Sequence, residues 1–278
     1  MGSTRSVGKA SASPRATAWP WGGLALAWPL AKRDVLARYR GSVAGLAWAL
    51  VAPLGMVLVY TLVFRGVFRA RWGVGESAVD GFGYVTRLFA GLMVFQAVAE
   101  VATRATRLMQ DHANLVKRVV FPLELLCTAL LLQVGVHLLL QVALLAVFEG
   151  VFGGGVRLSW LLLPLALLWL LLLMQVLALA LAALGAYLRD LQHAVPVMMT
   201  GMLFLSPVFF PAASAPEPLR WVLAVNPISV PIELMRWAWF GDPVDVRAAV
   251  AQGLLLLLLL PLAHRLFRRL RTGFADLV

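Results

Sequence analysis

The chain has 278 residues, 62% of them apolar, with 24 Lys and Arg against 13 Asp and Glu and a formal charge of +11. That apolar share, against roughly 45–50% in an ordinary soluble domain, excludes a water-soluble fold, and the single cysteine, Cys127, excludes an internal disulfide. In a soluble domain the charge would suggest nucleic acid; here its distribution reports membrane topology, and no nucleic-acid partner is expected.

Residues 1–20 are rich in Ser, Ala, Pro and Arg and are expected to form a disordered tail. They hold no apolar h-region, so no cleavable signal peptide is expected. Residues 21–40 follow as a candidate interfacial helix. Leu24, Leu26, Trp28, Leu30, Val35 and Leu36 lead into a basic end, a pattern suited to lying on the cytoplasmic leaflet.

Gly41-Ser42 then turns the chain into the first of six apolar runs, at about 43–64, 84–103, 123–148, 158–187, 194–211 and 246–267. A spanning helix takes about 20 mostly apolar residues, so the expectation is an all-α polytopic membrane protein with six transmembrane helices in one domain, 21–278. The second and fifth runs are weaker, with more polar or helix-breaking residues. Lys32, Arg33, Arg38 and Arg40 precede the first run. Arg104, Arg107, Lys117 and Arg118 fall between the second and third, and Arg265, Arg268, Arg269 and Arg271 follow the sixth. The positive-inside rule then places both termini in the cytoplasm, which requires an even number of spans.

The connection 104–122 is polar and basic and reads as one or two short helices ending at Pro122. Arg189-Asp190 makes a short turn between the fourth and fifth spans. Residues 206–245 interleave Pro207, Pro211, Pro216, Pro218, Pro227 and Pro231 with Phe209, Phe210, Trp221, Trp237 and Trp239. The stretch is too apolar for an ordinary loop and too broken for a span. Re-entrant helices between spans five and six explain both properties, because broken backbone at membrane depth must be satisfied by protein or water. A surface loop with interface tryptophans is the alternative.

Catalytic and metal signatures are missing from the sequence. His112, His137, His193 and His264 have no ligand spacing, and no phosphate-binding G-x-x-x-x-G-K-[ST] is present. The informative residues are therefore polar ones inside spans. Gln133, His137 and Gln141 recur every four residues on one face of the third span. They serve either as interhelical hydrogen bonds or as a polar strip along a path for a hydroxyl-rich cargo. Glu100 and Arg104 are placed for an ion pair. Trp48, Tyr60 and Phe64 on the first span, with Phe204, Phe209 and Phe210 after the fifth, are candidates to line a conduit. Arg33, Arg38 and Arg40 have the guanidinium chemistry to hold a lipid phosphate, or they anchor the helix to anionic lipid.

Three segments together resemble one family. Arg33-Asp34-Val35-Leu36-Ala37-Arg38-Tyr39-Arg40-Gly41-Ser42-Val43-Ala44-Gly45-Leu46-Ala47-Trp48 resembles the R-D-x-x-x-R-Y-x-x-S-x-x-G-x-x-W start of ABC-2 type polysaccharide export permeases. Asn114 to Pro122 (NLVKRVVFP) is similar to that family's second-to-third connection. Ser206-Pro207-Val208-Phe209-Phe210-Pro211, with Asn226-Pro227 and Ile232-Glu233-Leu234-Met235-Arg236 downstream, is the third match. The resemblance implies a permease subunit of the inner (cytoplasmic) membrane, working as a homodimer with two copies of a nucleotide-binding ATPase subunit. That partner would carry the ATP and Mg; no cofactor is expected on this chain, and it is not itself expected to be an enzyme.

The implied cargo is a lipid-linked polysaccharide of O-antigen, teichoic acid or capsule type, with further envelope export proteins beyond the membrane. The R-Y-x-x-S start points towards the O-antigen and teichoic acid branch. By the same resemblance Asp111, His112, Asn114, Leu115, Val116, Lys117 and Arg118 form the coupling segment that meets the ATPase, with Arg189 and Asp190 as a second contact. Arg33, Arg38 and Arg40 would meet the lipid phosphate. Spans one and five would flank a lateral gate, and residues 207–239 would cap the exit. The alternatives are an exporter of a small lipid or drug, and an intramembrane enzyme with His137 or Glu100 as base.

Overall fold

In lipid, each backbone N–H and C=O must be satisfied within the protein, which leaves helices or a closed barrel; the long unalternating apolar runs of this chain choose helices. The computed structural model describes residues 21–39, 45–67, 72, 81–117, 121–153 and 155–274. The expected tail 1–20 lies outside the described residues, as do Arg40, Arg118 and the side chains of Arg38 and Phe64.

The first helix, α1 (Trp21–Tyr39), ends where the sequence reading placed the interfacial helix. Ala27 and Ala31 are buried against Ala129 of the third span, while Trp28, Lys32, Arg33 and Leu36 face outwards. The first span runs from a 3₁₀ turn at Gly45–Ala47 through α2 (Trp48–Thr61) into a π-helical stretch, Leu62–Val67. The second span is α3 (Gly81–Ala105), followed by two single-turn helices, α4 (Leu108–Asp111) and α5 (Ala113–Val116). The third span, α6 (Glu124–Phe152), leads through a 3₁₀ turn at Leu158–Leu162 into α7 (Leu163–Tyr187). After α8 (Leu191–Phe204) come α9 (Glu217–Val225), α10 (Ser229–Phe240) and the final span α11 (Val246–Leu270).

Four of these helical units are long and apolar enough to cross a membrane: Gly81–Ala105, Glu124–Phe152, Leu158–Tyr187 and Val246–Gly273. Trp48–Thr61 and Leu191–Phe204 are the shorter apolar helices. The fifth run therefore needs a correction, since its helix stops at Phe204 and does not continue to 211. Its 14 residues reach roughly 21 Å at about 1.5 Å per residue. Pro207 explains the stop, because it offers no N–H and disfavours helical geometry in the residue before it. Ser206 folds its hydroxyl back onto the carbonyl of Met202 at 2.6 Å.

Helix α3 is deeply buried, and with α7 it forms the wall on which the other helices pack. Small residues permit this: Ala178, Ala182, Ala183 and Ala186 of α7 are all buried, and small faces let helices approach closely where no hydrophobic drive separates helix from lipid. Helix α10 is buried within the bundle against α3 and α7. It ends at Gly241, whose φ of 72° is the left-handed conformation that glycine adopts without strain. Helix α9 is amphipathic, with Leu223 buried and Trp221 exposed.

A Cβ placed on Gly185 would meet the backbone of Thr106, so this glycine sets the distance between α7 and the connection after α3. Gly185→Val is expected to cost about 1–3 kcal/mol through overpacking, read as a lowered thermal midpoint in detergent. Gly201→Ala on α8, where the added methyl meets nothing within 4 Å, is expected to leave the midpoint unchanged or slightly raised.

Candidate functional site

The two ends of the bundle differ in chemistry. At one end, the basic end, lie α1, the α4–α5 segment, the turn between α7 and α8, and the close of α11. Gln110 of α4 donates to the carbonyl of Gly185 at 3.4 Å and accepts a hydrogen bond from Gln192 of α8. Gln110, just ahead of the 111–117 segment, is thereby tied to both helices that flank the Arg189-Asp190 turn. Asp111, Asn114, Lys117, Arg189 and Asp190 are exposed there. Val116 is buried and Leu115 packs against the core, so these two hold the segment down. Neither Gln110 nor Gln192 stood out in the sequence, since a glutamine carries no pattern of its own.

Helix α1 joins the same surface. Asp34 lies 3.9 Å from Nε2 of His112, whose Nδ1 is 3.1 Å from the carbonyl of Leu108. Arg33 is exposed and pairs with its neighbour Asp34 at 3.2 Å. The far end of α11 closes onto α6 through Arg268 and Arg271, 3.6 and 3.5 Å from Glu124. Tyr187 donates to the carbonyl of Leu270 at 2.9 Å.

The polar strip on α6 is buried throughout: Gln133, His137 and Gln141 are all less than one-tenth exposed. Gln133 accepts from Arg104 at 2.7 Å, and Arg104 also reaches Glu100 at 3.1 Å. The expected Glu100–Arg104 pair is thus present, extended to a second helix. At least for Gln133, the interhelical hydrogen bond is what the structure contains, and Glu100 is held as an ion-pair partner.

The aromatic candidates divide. Tyr60 of α2 meets Phe209 edge-on, with ring centroids 5.1 Å apart, and Phe204 at the end of α8 stacks on Phe209 at 5.6 Å. The structure therefore brings spans one and five together through these three rings. Phe210 is half-buried against the core, and Trp48 stands half-exposed on the outer face of α2.

At the opposite end, the broken segment 205–245 is held by donors from all around it. Arg236 of α10 is buried and donates to the carbonyls of Pro207, Val208 and Arg87, the last two at 2.6 and 3.1 Å. Its guanidinium lies 4.2 Å over the ring of Trp72, and Gly91 leaves the room it occupies, since a Cβ there would strike it. Arg87 in turn pairs with Asp242 at 2.8 Å. Asn226 donates to the carbonyl of Leu205 at 3.0 Å and to the Ser206 hydroxyl at 2.7 Å, and accepts from the Ile228 N–H at 2.9 Å. The terminal carbonyls of α10 receive Arg157 at 3.0 Å and the Trp160 indole at 3.3 Å. The quoted motifs Ser206-Pro207, Asn226-Pro227 and Ile232–Arg236 are thus one interlocked unit. Arg87 and Asp242 were missed in the sequence, being single charges in unrelated segments.

The profile of the ABC-2 type transporter family matches residues 26–240. The chain is similar to an O-antigen export system permease protein RfbA from Klebsiella pneumoniae, 23% identical over 250 residues, covering 90% of this chain and 93% of the relative. It is also similar to an O-antigen export system permease protein RfbA from Myxococcus xanthus, 26% identical over 250 residues, covering 89% and 93%.

Arg236→Met removes the donor to three backbone carbonyls. At about 1–3 kcal/mol per buried group left unsatisfied, the expected loss is at least about 3 kcal/mol, measured as a fall in thermal midpoint and membrane yield. Arg236→Lys is expected to recover little of it, because a single ammonium cannot reproduce the planar fork.

Proposed function

The chain belongs to the ABC-2 type transporter family, and on that premise we propose that it is the membrane-spanning permease subunit of an ATP-driven exporter of a lipid-linked polysaccharide, of the O-antigen class. The similarity to O-antigen export permeases extends over nine-tenths of both chains, which supports the cargo class. The observation that carries the reading is the joint surface at the basic end, where the 111–117 segment and the Arg189-Asp190 turn are tied together through Gln110. A partner that docks there pushes on two helix connections at once.

In this reading the basic end faces the cytoplasm of an inner membrane, following the positive-inside rule. A second copy of the chain completes the passage, and two ATPase subunits bind the two basic surfaces. ATP and Mg belong to that partner, and this chain performs no chemistry. Asp111, Asn114 and Lys117, being exposed, make the contact, while Leu115 and Val116 seat the segment on the bundle. The basic run around Arg33 and Arg38 engages the lipid-linked phosphate as a charge-assisted pair. The ring cluster of Tyr60, Phe204 and Phe209 stands at the meeting of spans one and five, where aromatic faces suit the C–H faces of sugar rings.

The physical task is then to provide a route for a hydroxyl-rich chain that hydrocarbon rejects, and to open it in response to the partner. A charge at the bilayer centre alone costs about 2.5–3.5 kcal/mol on insertion scales. Opening by a soluble partner is a coupling free energy between two sites, not a catalytic step.

Purification of the protein from its native membrane is expected to bring down an ATPase subunit in roughly equal amount; a folded preparation free of ATPase would overturn the reading. In the assembled complex, Asp111→Arg combined with Lys117→Glu is expected to lower export at least tenfold. The variant is expected to keep wild-type elution on gel filtration, because both positions are exposed. Unchanged export would remove this segment from the docking surface.

A further inference from the structure

A cavity of about 780 Å³ opens at the non-basic end of the bundle, between the 211–214 turn, α9, α10 and the start of α11. Its size falls within the roughly 300–1,000 Å³ of sites that hold small ligands. Leu223, Val230 and Ala248 supply apolar wall. From α10 come Ser229, Glu233 and Arg236, at i, i+4 and i+7 and hence on one face. They form the polar stripe of a helix whose Ile232, Leu234, Met235 and Ala238 are buried and apolar.

Most polar groups around the cavity are already committed. Arg236 gives its donors to backbone carbonyls, and Asp242 is paired with Arg87. Asp245 caps α11 by accepting from the N–H groups of Arg247 and Ala248, and Arg220 donates to the carbonyls of Ala215 and Ala213. Two groups remain. Ser229 is 5% exposed, and its hydroxyl meets no hydrogen-bond partner among the described residues. Glu233 feels the charge of Arg236, but its carboxylate, half-buried in the cavity wall, accepts no hydrogen bond from a described residue.

A buried hydroxyl without a partner and a carboxylate without a donor are costly unless a ligand completes them. The carboxylates of Glu233, Asp242 and Asp245 outnumber the guanidinium groups of Arg220 and Arg236 in the lining, which disfavours phosphate and other anions. The guanidinium groups of Arg220 and Arg236 in the same lining repel a cation. The complement is a neutral ligand with several O–H donors and apolar C–H faces to lay against Leu223, Val230 and Ala248. We propose that this cavity binds neutral sugar residues of the exported polymer as they leave the passage, a site that rests on the exporter reading for its source of ligand.

The test is binding of neutral tetrasaccharides of glucose, mannose, galactose and N-acetylglucosamine, each alone, to the full-length protein in detergent by saturation-transfer NMR and titration calorimetry. Spermidine and glycerol phosphate are the charged comparisons. At least one tetrasaccharide is expected to bind, with Glu233→Gln weakening it about tenfold, the scale of a hydrogen bond to a charged acceptor. Ala224→Trp, placed on the exposed part of the wall, is expected to abolish binding at an unchanged thermal midpoint. Binding of spermidine or glycerol phosphate alone, tetrasaccharide binding that survives Ala224→Trp, or no binding at all would each overturn the proposal. A co-purifying ATPase with no sugar binding removes this site alone. Sugar binding without any ATPase leaves the site standing and removes the exporter reading.

Discussion

The organisation of this protein depends on one buried guanidinium. A chain whose helices break inside a packed bundle carries carbonyls that its own helices no longer satisfy, and each must find a donor within the protein or water. Arg236 supplies that donor to Pro207, Val208 and Arg87 together, joining the end of α8 to α3 through α10. A planar group with several fixed N–H bonds suits the purpose, because it serves separated acceptors without rotating between them. The Trp72 ring over its face and the absence of a Cβ at Gly91 complete its socket.

Around that socket, the same problem is solved repeatedly with different side chains. Asn226 serves Leu205, Gln252 donates to Pro227 at 2.7 Å, and Arg157 with Trp160 serves the close of α10. A cation at a helix C-terminus is also where the helix dipole favours it. The breaks at Pro207 and Pro227 therefore coexist with a packed interior, because their carbonyls are met from helices more than 20 residues away, while the carbonyls of Pro211 and Pro216 accept from the turns that follow them. The broken segment is tied to the bundle by these hydrogen bonds.

The opposite end is built for a different purpose. There polar side chains join the helix connections, and Asp111, Lys117, Arg189 and Asp190 are exposed. Gln110, Gly185 and Gln192 tie two connections into one surface, while α3 and α7 run from that surface to the broken segment: Arg87 of α3 receives Arg236, and Thr106 just past its other end rests on Gly185. Trp160, just ahead of α7, packs on Trp239 of α10 with ring centroids 4.8 Å apart, and Tyr187 at its end holds α11. Helices α3 and α7 thus connect the basic surface to the broken segment through continuous packing, the kind of physical contiguity that coupling between distant sites uses.

Much of this was legible in the sequence. Hydropathy and length gave the membrane class and the six apolar helices. The prolines gave the break after the fifth helix, and the spacing of Glu100 and Arg104 gave their ion pair. Each of these depends on residues within a few turns of one another, and short-range preferences survive folding. What only the tertiary structure decided is who meets whom. Arg236 and its acceptors are 29, 28 and 149 residues apart, and Arg87 finds Asp242 across 155 residues. The burial of Val116 beside an exposed Lys117 was likewise unreadable, since a single-turn helix has too few residues to show which face is inside. Partners of a buried polar group are set by how distant helices pack, and no local pattern encodes that.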